Sequence, residues 1–592
     1  MSDPIEQTLL ASGLGPEQRS AAWKRLGSEQ FDVVVIGGGV VGSGCALDAA
    51  TRGLKVALVE ARDLASGTSS RSSKMFHGGL RYLEQLEFGL VREALHEREL
   101  SLTKLAPHLV KPLPFLFPLT KRWWERPYIA AGIFLYDQLG GAKSVPAQKH
   151  LTRAGALRLS PGLKRSSLIG GIRYYDTVVD DARHTMTVAR TAAHYGAVVR
   201  CSTQVVALLR EGDRVVGVRV RDSEDGSITE VRGHVVVNAT GVWTDEIQAL
   251  SKQRGRFRVR ASKGVHIVVP RDRIVSDAAI ILRTEKSVMF LIPWGSHWII
   301  GTTDTDWNLD LAHPAATKAD IDYILGTVNE VLATPLTHND IDGVYAGLRP
   351  LLAGESDETS KLSREHAVAV PAAGLVAIAG GKYTTYRVMA ADAIDAAAQF
   401  IPARVAPSIT EKVTLLGADG YFALINQAEH VGALQGLHPY RVRHLLDRYG
   451  SLVGEVLALA TEEATEEATE AGSEPLDLLR PIKEAASYLR VEALYAVVAE
   501  GALHLEDILA RRMRISIEYS HRGVDCAREV AEVVAPALGW SAADVDREVA
   551  NYIARVEAEI LSQAQPDDVS ADELRASAPE ARAEILEPVP LD

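Results

Sequence analysis

Three glycines and one acid carry the first chemistry that can be read from this chain. Gly37-x-Gly39-x-x-Gly42 follows the β-branched run Phe31-Asp32-Val33-Val34-Val35-Ile36 and opens a helical stretch reaching about Arg52. Such a turn lets the backbone approach a pyrophosphate and presents a helix N-terminus to it. Gly37 suits the tight turn, Gly39 the close approach and Gly42 the packing of helix on strand. Beyond Gly53, Lys55-Val56-Ala57-Leu58-Val59-Glu60 reads as the next strand, and Glu60 is placed to accept a ribose hydroxyl. An acid there suits an adenosine without a 2′-phosphate, hence FAD or NAD. Three further segments favour FAD. The loop Asp63–Lys74, with Thr68, Ser69 and Ser73, offers hydroxyls to the pyrophosphate and ribityl chain. Val235–Gly241 is a buried strand ending in small residues, so that Gly241 can abut a cofactor. Leu375–Thr385 runs from a strand through Gly380-Gly381 into a helix start at Thr384, whose N-terminus would stabilise an anion on a flavin ring.

These residues need a parallel sheet to hold them. Its strands come from distant places: residues 31–36 and 55–60, then Ala197–Arg200, His234–Asn238 and Leu375–Ala379. Alternating stretches at Val215–Arg221, Gly264–Val269, Val288–Pro293 and Trp298–Thr302 predict a second, mixed or antiparallel sheet. After about residue 405 the spacing turns helical, at His438–Tyr449, Leu476–Glu500 and Ser541–Gln563, with Ser541 as an N-cap. The expected architecture is α/β. A Rossmann-like, FAD-binding parallel sheet (about 31–105, 170–260 and 340–400) carries an inserted substrate domain (about 106–169 and 261–339). A lead-in of residues 1–30 precedes it, with one helix near Pro16–Leu26. A helical C-terminal domain (406–564) and a disordered tail (565–592) follow.

Composition narrows the function. The 592 residues carry a net charge of −13, but the residues after 400 hold 17 basic and 34 acidic side chains, leaving the first 400 slightly positive. No nucleic-acid partner is expected from a chain without a clustered basic face. The Thr-Glu-Glu-Ala repeat at 461–470 reads as a solvated acidic segment. Cys45, Cys201 and Cys526 are too few for a disulfide framework, and their spacing suggests no metal site. No run of about 18 apolar residues spans a bilayer, and no secretory signal opens the chain. The expected location is the cytoplasm or the cytosolic face of a membrane.

Gly67-Thr68-Ser69-Ser70 and Ser72-Ser73-Lys74-Met75-Phe76-His77-Gly78-Gly79-Leu80-Arg81-Tyr82-Leu83 resemble the signature of FAD-dependent glycerol-3-phosphate dehydrogenases. Lys263–Pro270, Gly301-Thr302-Thr303-Asp304, Gly347–Leu351 and Gly380–Tyr386 resemble the family in the same order. The resemblance implies an amino-acid-oxidase-like fold and oxidation of sn-glycerol 3-phosphate to dihydroxyacetone phosphate. Electrons then pass through FAD to a membrane quinone. By resemblance, Arg81, Tyr82, Arg349, Arg364 and Lys382 line the substrate pocket, where arginine forks match phosphate oxygens. Hydride loss from C2 requires loss of the hydroxyl proton, and His266 is the candidate base. Arg349 either polarises that hydroxyl or binds the phosphate. His77, with Gly78 and Gly79, is expected beside the flavin, and a homodimer is what the family suggests.

A quinone acceptor requires contact with the bilayer. Residues 103–153 hold eight basic and two acidic side chains, interleaved with Phe115, Phe117, Trp123-Trp124 and Tyr128–Tyr136. Basic and aromatic groups together fit peripheral binding to an anionic surface. The alternative acceptor is oxygen, as in a glycerol-3-phosphate oxidase. A carboxylate-binding amino-acid oxidase would need fewer cations than this pocket collects.

Overall fold

The computed structural model describes residues 12–83, 86–120, 125–140, 144–251, 258–284, 288–353, 365–460 and 477–582. The first strand, β1 (Gln30–Ile36), leads through the glycine turn into α1 (Val40–Thr51) and then β2 (Val56–Val59). β1 pairs in parallel with β2 on one side and with β3 (Ile228–Asn238) on the other. Val33 and Val35 point into one apolar cluster with α1, while Phe31, Val34 and Ile36 point into another with Ala22 and Leu26 of the helix Pro16–Ser28. This two-sided burial explains why the strand reads as an unbroken β-branched run.

The second sheet is built around β4 (Val259–Pro270) and β5 (Gly343–Leu352), which pair antiparallel over ten positions. The first sheet is completed by β6 (Leu375–Gly380), parallel to β3, and by Val198–Arg200 beyond β2. After β6 comes α2 (Tyr386–Ala398), packed on α1. Three expected boundaries move. Gly170–Val178 and β5, assigned by sequence to the FAD-binding part, pair within the second sheet. The alternating run at 215–221 belongs instead to the first sheet, where Arg214–Asp222 pairs with β3. Alternation reports a half-buried strand but not which partner it finds.

Helices dominate after residue 420, around one core that includes Leu445, Tyr495, Val530 and Tyr552. Ser541 caps the helix Ala542–Ser562 through a capping box with Asp544. The helical reading of 476–500 holds only from Arg490. A short hairpin, Pro481–Ile482 with Ala485–Leu489, precedes it. The tail is also more ordered than expected, since Asp568–Ala576 is a helix. Asp568 pairs with buried Lys263, and Arg582 donates to Asp507 at 2.8 Å. Those counter-charges come from remote parts of the chain, so local composition does not show them. The repeat at 461–470 and residues 583–592 lie outside the described residues, as do Lys121, Arg122, Trp123 and Trp124. Phe115 and Phe117, expected at a membrane face, are buried in the second sheet. Cys45, Cys201 and Cys526 are free and buried.

Candidate active site

At the end of β1 the backbone turns where only glycine is comfortable. Gly37 has a φ of +107°, and a methyl there would lie 2.8 Å from the Ala239 carbonyl oxygen. A methyl on Gly42 would overlap the Gly37 carbonyl oxygen, so α1 sits flush against the turn. Val40 N–H, at the helix start, donates to Ser69 Oγ at 2.9 Å. Glu60 accepts from the backbone N–H of Gly38 at 2.6 Å and of Arg62 at 2.8 Å. Burial raises the Glu60 pKa against those two bonds. Thr68 Oγ1 donates to the Leu348 carbonyl at 2.6 Å, tying the hydroxyl loop to β5.

A cavity of about 870 Å³ joins this turn to the second sheet. Its walls include Gly37, Gly39, Glu60, Thr68 and Ser69 from the first βαβ unit and hydroxyl loop. Gly241, Gly381 and Thr384 contribute from the other strand ends of the parallel sheet. Ser73, His77, Tyr82, His266, Arg349 and Lys382 also line it. Gly42, Gly78 and Gly79 do not. Gly42 packs helix on turn, and Gly78 N–H donates to the Tyr136 hydroxyl at 2.7 Å. That hydroxyl in turn donates to Asp176. Gly79 takes a φ of +78°, and a side chain there would strike the Tyr82 ring. Arg81 lies in the turn Leu80–Leu83, and Arg364 is outside the described residues.

The glycine cradle, the helix N-terminus and the cavity volume fit FAD, since pockets for ligands of this kind span roughly 300–1,000 Å³. Among the described residues no group of three or more His, Cys, Asp or Glu side chains could hold a metal ion.

The register of β4 and β5 builds the reactive wall. Ser262 lies opposite Arg349, Gly264 opposite Gly347 and His266 opposite Tyr345. Side chains two apart share a face, so His266 and Arg349 reach the same cavity across a pair of glycines. A β carbon on Gly264 would come 2.9 Å from the Arg349 guanidinium carbon. His266 stacks on Tyr345, with ring centroids 4.7 Å apart and planes 12° apart, and its Nε2 meets Ser73 Oγ at 2.9 Å. Burial first, then Arg349 and Lys74, pushes the His266 imidazole well below its ordinary 6.5. It is therefore neutral near pH 7 and able to take a proton. Arg349 donates to Thr302 Oγ1 at 3.0 Å and to the Thr303 carbonyl at 3.2 Å, with Asp304 3.6 Å away. Lys382 Nζ stands 3.7 Å from the Tyr82 ring centroid. Thr384 Oγ1 bridges the backbone N–H and carbonyl of His77, each at 3.2 Å.

Sequence reasoning missed Tyr345, buried Lys74 and the Asp180–Asp181 pair. Tyr345 carried a faint signal, because it precedes Gly347 and Arg349 at a spacing of two. Lys74 lies inside the Ser72–Leu83 block without any sign there of its burial, and Asp180–Asp181 carried no signal, since buried ion pairs between distant segments have no local pattern.

The family model for FAD dependent oxidoreductases matches residues 32–387. The model for the C-terminal domain of alpha-glycerophosphate oxidase matches residues 408–545. Glycerol-3-phosphate dehydrogenase 2 of Mycobacterium tuberculosis is 88% identical over the whole of both chains. Mouse mitochondrial glycerol-3-phosphate dehydrogenase is 36% identical over 89% of this chain and 73% of its own. The solved Bacillus halodurans glycerol-3-phosphate dehydrogenase complexed with FAD superposes with a TM-score of 0.76 at 29% identity, covering 93% of this chain and 99% of that one. Together with a cavity shaped for FAD, these likenesses place the chain in the FAD-dependent glycerol-3-phosphate dehydrogenase family.

Proposed function

We propose that this enzyme oxidises sn-glycerol 3-phosphate to dihydroxyacetone phosphate and delivers the electrons to a membrane quinone. The observation that carries the reading is His266 facing the same cavity as Arg349 and Lys382. Bound FAD supplies the hydride acceptor. Gly37, Gly39 and the N-terminus of α1 would hold its pyrophosphate, Glu60 a ribose hydroxyl, and the Gly381–Thr384 turn the ring system. Arg349 and Lys382 bind the phosphate dianion, with Arg81, Arg364 and Tyr82 added by family resemblance. His266 takes up the C2 hydroxyl proton at Nε2 by way of the Ser73 hydroxyl, which passes its own proton to the imidazole and accepts the substrate's as hydride leaves C2. Burial of the imidazole keeps water from competing for that proton. Anaerobic bleaching of the flavin by glycerol 3-phosphate tests the substrate, and its absence would overturn the assignment.

The acceptor depends on where the protein sits. Among the described residues no helix is long and apolar enough to cross a membrane. The helix Glu125–Gly140 buries Ile129, Ile133 and Tyr136, yet leaves Tyr128 and Phe134 47% and 57% exposed. Leu86 and Phe88 are exposed at the start of the helix packed against it. These exposed apolar side chains, with the surplus of basic residues in the sequence of 103–153, support peripheral docking on anionic lipid from the cytoplasm. Replacing Tyr128 and Phe134 by Ser should abolish binding to vesicles rich in phosphatidylglycerol, and unchanged binding would refute the docking face. The C-terminal likeness to an oxidase favours oxygen as the competing acceptor. Peroxide yield measured against quinone-analogue reduction separates the two. The homodimer suggested by the family is checked by light scattering.

A further inference from the structure

Arg514 links the C-terminal domain to the segment that presents Ser73. We propose that Arg514 is a positioning residue for the Ser73–His266 pair, an inference resting on the reading of His266 as the base. Arg514 stands in the left-handed region, with a φ of +76°, after the turn Asp507–Arg512. It does not line the cavity. Its Nε and Nη2 donate to Asp180 Oδ1 at 3.0 and 2.7 Å, and Nη2 also donates to Asp181. Its Nη1 donates to the Ser70 carbonyl at 3.1 Å. Asp181 in turn accepts from Ser72 N–H at 2.9 Å, from Ser72 Oγ at 2.7 Å and from Lys74 Nζ at 2.8 Å. Lys74 closes the circuit by donating to the Ser70 carbonyl at 3.0 Å.

Ser73 lies between these anchors and presents its hydroxyl to His266. Tyr345, stacked on His266, donates its own hydroxyl to the Ser72 carbonyl at 2.9 Å. A shift of the segment Ser70–Lys74 therefore alters both contacts of the imidazole. Lys74, Arg514 and Asp181 are buried, and Asp180 is nearly so, with Arg448 as a third cation 3.6 Å from it. Burial opposes charge on Asp180, yet Arg514, Arg448 and Lys74 outweigh it and hold that carboxyl well below the usual range. Charged hydrogen bonds in so dry a site are short and directional. The planar fork of arginine reaches Asp180, Asp181 and Ser70 at once, which the point charge of a lysine does not reproduce.

Arg514→Lys keeps the charge and removes the fork, so the FAD-loaded full-length variant is the test. Crystal structures of wild type and variant are the substrate-free readout. Ser73 Oγ and His266 Nε2 should part beyond hydrogen-bond reach in the variant, and an unmoved pair would overturn the proposal. Flavin bleaching by glycerol 3-phosphate should slow by about 10²-fold, with KM held within roughly twofold. In a Ser73→Ala background the same substitution should cost less than about threefold, because the two act in one chain. Full additivity, or a lowered Tm with an unchanged bleaching rate, would instead show a purely structural role. Ser72→Ala, which removes one Asp181 contact and leaves every charge, should move the same readouts the same way if Arg514→Lys does not fold. A wild type that glycerol 3-phosphate does not bleach refutes the substrate reading, and the crystallographic comparison still decides the role of Arg514.

Discussion

Gly42→Ala should separate FAD binding from folding. A methyl at this position overlaps the Gly37 carbonyl oxygen, which is backbone and cannot swing aside. An ordinary carbon–oxygen contact of about 3.3 Å requires α1 and the turn to part by roughly an ångström or more. The parting moves the Gly37 turn away from the N-terminus of α1, where the pyrophosphate would be held. Losing one hydrogen bond to a charged group costs about 1.5–3 kcal/mol, which is roughly a 10- to 150-fold rise in the FAD dissociation constant. Overpacking adds about 1–3 kcal/mol of lost fold stability. FAD titration of the apoprotein by flavin fluorescence measures the first effect and thermal melting the second. Gly326→Ala is the control, because its β carbon meets nothing within 4 Å and it sits inside the helix Lys318–Asn329. That variant should bind FAD normally and gain up to about 1 kcal/mol of stability. Wild-type affinity in Gly42→Ala would show that the turn does not hold the cofactor.

His266 is held neutral well below 6.5, so the saturated bleaching rate should survive at pH 6, and a half-loss at pH 6.5 or above would contradict this base. Arg349→Lys forfeits a forked contact worth about 1.5–3 kcal/mol, and kcat/KM should fall roughly 10- to 150-fold while a folded, FAD-loaded protein remains. The fold itself should weaken in acid. Burial pushes His108 and His184 down to about 3, so they stay neutral in the fold while their unfolded counterparts take up protons. Their stability is complete above the unfolded value of 6.5 and is lost as pH falls from there toward 3. At pH 5 each costs about 2 kcal/mol, visible as a fall in Tm between pH 7.5 and 5 that His108→Phe should flatten.

Much of the site was legible because its signals are local. The glycine spacing, the strand before it and Glu60 after it lie within one βαβ unit. The FAD cradle could therefore be written residue by residue, and Gly37, Gly39 and Glu60 line one cavity while Gly42 packs helix on turn behind it. Motif blocks containing His266, Arg349 and Lys382 stood out in the same way. Their juxtaposition did not. His266 reaches Arg349 through the register of two strands far apart in the chain, and a slip of one residue in either strand would put the two side chains on opposite faces. The domain boundaries moved for the same reason, because nothing local names the partners of the strands at 170–178 and 343–352.

Residue types at short spacing thus pointed to the cofactor, since backbone turns and helix starts depend on neighbouring residues, while motif resemblance pointed to the family and nominated His266. Packing over long sequence separations settled the rest. It made His266 neutral, placed Tyr345 against it and ordered part of an acidic tail. It also brought Arg514 from the C-terminal domain to the loop that holds Ser73. Burial and counter-charge are properties of the folded surroundings, and no short stretch of the chain contains them.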